Sequence, residues 1–117
     1  MKILIVDDLD ALAFLIKEDL GEVHETTLAQ NGVQALTMLQ AETFDLVITD
    51  YLMPRMNGLE LVNHGSWRCP TILWSSSPEL INKRRVPPWV YLADKKDIGD
   101  VETLSVVAVD HFEDYRQ

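Results

Sequence analysis

Two short apolar runs in this chain end in acid. Ile3-Leu-Ile-Val6 leads into Asp7-Asp8, and Phe44-Asp-Leu-Val-Ile-Thr49 leads into Asp50. Runs of this kind read as strands buried on both faces, so each acid stands at a strand's carboxyl end. Three carboxylates held together repel one another and need a divalent cation to neutralise them. A hard cation such as Mg2+ takes oxygen ligands in near-octahedral geometry, so Asp7, Asp8 and Asp50 with a backbone carbonyl would suit it. If a phosphoryl group is transferred there, its oxygens need further neutralisation. Ser75, which closes a further apolar run, offers a hydrogen bond, and Lys95 or Lys96 offers charge. The acceptor is then a carboxylate, a side chain that forms acyl phosphates.

The elements that would position these groups alternate along the chain. Strand patterns are read at Lys2–Val6, Val23–Gln30, Phe44–Thr49, Thr71–Ser75 and Trp89–Ala93. A first helix has Asp10 as N-cap, an inner face of Leu12, Leu15, Ile16 and Leu20, and a stop at Gly21. A second begins at Asn31, with Gln34 placed to reach back as in a capping box. A short third helix covers Leu59–Asn63 before Gly65. The last runs from about Gly99 to Tyr115, with Leu104, Ala108, His111, Phe112 and Tyr115 as its apolar stripe. Strands alternating with helices imply an α/β fold, a doubly wound parallel sheet with its site beyond the strands' carboxyl ends.

At 117 residues the chain fits one domain, 1–117, able to bury a core without staples. Nineteen acids against ten bases give a net charge of −9, which argues against general affinity for nucleic acid or an anionic membrane. One cysteine, Cys69, excludes an intrachain disulfide and suits a reducing compartment. With no signal-peptide pattern and no apolar run of membrane-spanning length, the expected location is cytoplasmic. His24, His64 and His111 share no metal-ligand spacing, and Lys83-Arg-Arg85 reads as a solvated loop.

The block Asp50-Tyr-Leu-Met-Pro-Arg-Met-Asn-Gly58 in third-strand context is highly specific, whereas the acid pair Asp7-Asp8 alone is weak. With Pro70-Thr-Ile-Leu-Trp-Ser75 and a lysine after the fifth strand, they resemble the receiver domain of two-component response regulators. That resemblance implies a flavodoxin-like fold of five parallel strands in the order 2-1-3-4-5. It implies that Asp50 accepts a phosphoryl group from a phosphohistidine on a sensor histidine kinase or phosphotransfer protein. Mg2+ would be held by Asp7, Asp8, Asp50 and the backbone carbonyl of Leu52, while Ser75 and the lysine contact the phosphoryl oxygens. The expected role is that of a stand-alone receiver without an output domain, signalling by protein–protein contact and not an enzyme in the usual sense.

The chain also departs from that pattern. Tyr91-Leu-Ala-Asp-Lys-Lys96 places Asp94 at the lysine position in a gapless register, and one inserted residue brings Lys95 there instead. Lys95 is taken as the site lysine, with Lys96 as the alternative. The proline usual after that lysine is missing, so a cis bond before Lys96 would cost about 2.5–4 kcal/mol. The aromatic that reports phosphorylation in the family would be Tyr91 in the gapless register, or Leu92 if Lys95 is the site lysine. Val86-Pro-Pro-Trp89 breaks helices, so the helix expected between the fourth and fifth strands is degenerate, and Gly65-Ser-Trp-Arg-Cys-Pro70 shortens the third. Ser77, followed by Pro78, is the expected cap there, leaving Ser75 for the site. Trp67 and Trp89 would cover core left bare by the short helices or form a homodimer patch. The alternative function is a receiver-like interaction module that works without phosphorylation. Asp8-Leu-Asp10 resembles the D-x-D of haloacid-dehalogenase-like phosphatases, but Ala11-Leu12 stand where that family has Gly-Thr.

Overall fold

The computed structural model describes the backbone of residues 1–117 and all side chains except those at 10–12, 15, 22, 98 and 99. The capping role read onto the Asp10 side chain and the inward roles of Leu12 and Leu15 therefore lie outside the described residues. The elements are β1 (Lys2–Val6), α1 (Asp10–Leu20), β2 (Glu25–Ala29), α2 (Gly32–Ala41), β3 (Leu46–Asp50), α3 (Gly58–Val62), β4 (Thr71–Ser75), β5 (Val90–Asp94) and α4 (Val101–Arg116). The strands form one parallel sheet in the order β2-β1-β3-β4-β5. This is the flavodoxin-like arrangement, and its strand order reverses between β1 and β3. Among the described residues no helix is long and apolar enough to cross a membrane.

The sheet explains the runs of apolar residues. β3 and β4 are buried at every position because helices cover both faces of the central strands. Ile3, Ile5, Leu46, Ile48, Ile72 and Trp74 face one side, where Ile16 of α1 and Leu104 and Ala108 of α4 pack. Leu4, Val6 and Val47 face the other, against Ala35 of α2 and Leu61 of α3. β2 is the polar edge strand that its threonines suggest.

Local signals account for most boundaries. Gly21 ends α1 at φ 65°, and its N–H reaches the carbonyls of Lys17 and Glu18. The N-cap position of α1 belongs to Leu9 rather than Asp10. The Asn31 side chain accepts from the Gln34 N–H and caps α2, but Gln34 Oε1 accepts from the N–H of Gln30, one residue before the cap. The last helix starts two residues later than its pattern suggests, because Lys95–Asp100 form a 3-10 turn. Its first N–H, on Val101, is held by Asp19 Oδ2 of α1 at 3.1 Å, a cap supplied across the fold.

The region between β4 and β5 holds two single 3-10 turns, Pro78–Leu80 and Lys83–Arg85, and no α-helix. Trp89 fills part of the space. It is 2% exposed and meets Trp67 edge-on at 5.2 Å and Phe112 at 6.3 Å. Its burial matches the core-cover reading and leaves it no surface for a dimer patch. His24 pairs with Glu102 at 3.1 Å and His111 Nε2 sits 2.8 Å from the Pro88 carbonyl, so both serve structure.

Candidate functional site

The carboxyl ends of β1 and β3 are neighbours, with Val6 opposite Thr49. Asp7, Asp8 and Asp50 therefore emerge side by side at the point where strand order reverses. Each offers an oxygen within 4.8 Å of the others. Asp7 and Asp50 are each 3% exposed, while Asp8 is open to solvent. Asp7 Oδ1 accepts the Leu9 N–H at 2.8 Å, which fixes the turn into α1. Its other oxygen, Oδ2, is buried with no hydrogen-bond partner among the described residues. Burial, with the nearby Asp50 charge adding to it, pushes the Asp7 carboxyl up to about 6. An all-oxygen donor set with a buried, unpartnered carboxylate oxygen is what a hard divalent cation takes.

Two further groups reach Asp50. Lys95 Nζ lies 2.7 Å from Asp50 Oδ1. Oδ1 has no well-directed hydrogen bond, so the contact is an ion pair first. Lys96, by contrast, is exposed and lies 3.8 Å from Asp94 Oδ2. Asp94 sits at the N-cap of the 3-10 turn, and its Oδ1 accepts the Lys96 N–H at 3.0 Å. An aspartate cap thus turns the chain where the family has lysine–proline, and the peptide bonds of the described backbone are all trans. The residue three before Lys95 is Leu92, which packs with Leu73 and Trp89. Tyr91 faces the opposite side and meets His111 edge-on at 5.9 Å.

Ser75 is buried, and its Oγ accepts the Ser77 N–H at 3.0 Å, so its own O–H remains to be given. Ser77 occupies the cap position before Pro78 but makes no side-chain cap bond. Asp50, Ser75, Lys95 and the exposed Leu52 line one cavity of about 330 Å3.

The loop after Asp50 is shaped by its own residues. Arg55 adopts φ 69° and the Met56 N–H returns to the Pro54 carbonyl at 2.9 Å, a tight and strained turn. Gly58 begins α3 against β3, and a Cβ there would lie 2.2 Å from the Asp50 carbonyl oxygen. Asn57 and Glu60 form a full capping box that the sequence reading missed, although Asn-x-x-Glu is its standard spacing.

The chain is similar to known proteins. A family model described as "Response regulator receiver domain" matches residues 3–74. The chemotaxis protein CheY-3 of Vibrio cholerae is 43% identical over 67 residues, covering 55% of this chain and 51% of that one. The chain thus spans about half the length of the curated relatives it matches. The N-terminal domain of a response regulator/sensory box/GGDEF protein from Carboxydothermus hydrogenoformans superposes with a TM-score of 0.79 at 22% identity, covering 100% of both chains. A response regulator from Thermotoga maritima, solved in complex with Mg2+ and BeF, has a TM-score of 0.72 at 24% identity and covers 92% of this chain and 97% of that one. The structural likeness continues through β5 and α4, whereas the family model ends at Trp74, just before the region where sequence and helices depart. With a family model over more than half its length, the chain belongs to the response regulator receiver domains.

Proposed function

We propose that this receiver accepts a phosphoryl group on Asp50 from the phosphohistidine of a sensor kinase or phosphotransfer protein. A carboxylate oxygen of Asp50 attacks phosphorus, an O–P bond forms as the P–N bond breaks, and the imidazole nitrogen leaves with the electron pair. Asp7, Asp8, Asp50 and the Leu52 carbonyl would hold Mg2+, which when bound neutralises charge on the transferring oxygens. Lys95, now paired with Asp50, would pass its charge to the phosphoryl group, and Ser75 would donate its O–H. The receiver works in the cytoplasm and signals through protein contact.

The observation that carries this reading is the Lys95–Asp50 ion pair, 2.7 Å long, beside an acidic cluster with one unpartnered oxygen. The Mg2+–BeF complex of the Thermotoga maritima protein lends it support. Incubation with acetyl phosphate and Mg2+ should add one phosphoryl group by intact mass to the wild type and none to Asp50→Asn. Equal labelling of both would refute it.

A second reading, a module that binds without phosphorylation, is favoured by Leu92 at the aromatic position and by the missing helix between β4 and β5. Beryllofluoride with Mg2+ separates the two. Amide shifts reaching β5 and α4 favour a phosphorylation switch, and shifts confined to the pocket favour the module.

A further inference from the structure

Without an α-helix between β4 and β5, one side of α3 stays open. The space left is a trough of about 880 Å3 that runs from Tyr51, next to Asp50, along α3 to Trp89 and Tyr115. Leu59 and Val62 lie beneath it, 8% and 2% exposed, and half-buried Val86 joins them in the cluster around Trp89, so its open lining is mainly polar. Its rim carries Arg68, Arg84 and Arg85.

Those arginines stand out in an acid-rich chain. Ten bases face nineteen acids, yet none of the three lies within 4.0 Å of a carboxylate among the described residues. Arg68 instead stacks on Trp89 at 5.2 Å. The single acid lining the trough, Glu60, has its Oε1 engaged by the Asn57 N–H. Asn63 ties the two walls together, donating to the carbonyls of Leu59 and Arg85 at 2.9 Å each. The result is a held-open, locally positive channel on a protein of net charge −9.

We propose that this trough is a docking site for an acidic peptide segment of a partner protein. Charge complementarity selects the occupant. A small inorganic anion would pair with one or two arginines and leave most of a trough of about 880 Å3 empty. A nucleic acid would carry its phosphates past the three arginines and over the acid-rich remainder of the surface. A second copy would bring its whole charge of −9, not a short acidic stretch, to the contact. A short peptide with several acidic side chains spans the trough and pairs with the rim arginines without crossing the acid-rich surface. The proposal stands apart from the phosphoryl chemistry and does not need it.

The test is titration of the unphosphorylated protein with a short labelled Glu/Tyr copolymer peptide and its Lys/Tyr counterpart. The Glu/Tyr peptide should bind, and amide shifts should fall on residues 59–63, 84–89 and Tyr115. Arg84→Glu combined with Arg85→Glu should weaken it about tenfold or more, and added salt should weaken it further. Both arginines are exposed, so the fold is not at risk. Equal binding of the Lys/Tyr peptide, shifts elsewhere, or an unaffected double variant would overturn the proposal. So would self-association of the free protein that the double variant abolishes, which would assign the trough to a second copy.

Discussion

Asp7→Asn should stabilise the metal-free protein at neutral pH. Asparagine keeps the oxygen that accepts the Leu9 N–H and removes the buried charge. Burial raises the Asp7 carboxyl from 3.8 to about 6, so the folded state holds its proton more tightly than the unfolded state does. The stability this lends is full below the unfolded value, falls as pH rises, and is gone above about 6. The whole difference corresponds to at most about 3 kcal/mol, and water at the open side of the pocket screens it to roughly 1–2 kcal/mol. Urea unfolding in EDTA measures it. Asparagine lacks the titration, so the variant's advantage should grow between about pH 4 and pH 7 and then level off. Mg2+ should raise the midpoint of the wild type more than that of Asp7→Asn at neutral pH, since the variant has lost one anionic ligand. An advantage that does not change with pH, or an Asp7→Asn protein less stable than wild type at neutral pH, would refute the electrostatic reasoning.

Gly58→Ala should lower stability by about 2–4 kcal/mol, because the new Cβ would overlap the Asp50 carbonyl oxygen at 2.2 Å and α3 must shift. Thermal melting reads this as a drop of roughly 10 °C. Lys95→Ala should abolish the amide shifts that beryllofluoride causes beyond the pocket, whereas Lys96→Ala, whose side chain is exposed, should leave them intact. Burial pushes the Cys69 thiol up to about 12, so native protein at about pH 8 should react with iodoacetamide at least ~100-fold more slowly than urea-unfolded protein.

The parts legible in the sequence are those fixed by short-range pattern. Apolar runs on both faces gave the central strands, and acids at their ends gave the pocket. Gly21 and Asn31 marked helix ends through local backbone chemistry. What escaped depends on partners far apart in the chain. The start of α4 rests on Asp19, eighty-two residues away, so no local signal places it. Motif register points to Lys95 over Lys96, but the cap that Asp94 makes at the end of β5, opposite Ser75, is visible only in the fold. The proline pair forecast a broken helix, and its physical consequence, a trough bounded by Asn63 and the Arg85 carbonyl, needs three dimensions. The Asn57–Glu60 box was readable and was missed because a five-residue helix has too short a period to draw attention to its start.

The ion pair between Asp50 and Lys95 also has a history within each molecule. All three carboxylates of the pocket come from the first fifty residues, and their counter-charge comes from beyond β5. A chain made from its N-terminus can pair β1 with β2 and β3 before Lys95 exists. For that interval the acids face one another without a cation from the protein, and only ions from the solvent can relieve them. Docking of β5 is therefore both the last strand of the ladder and the event that brings the protein's own cation to the acids.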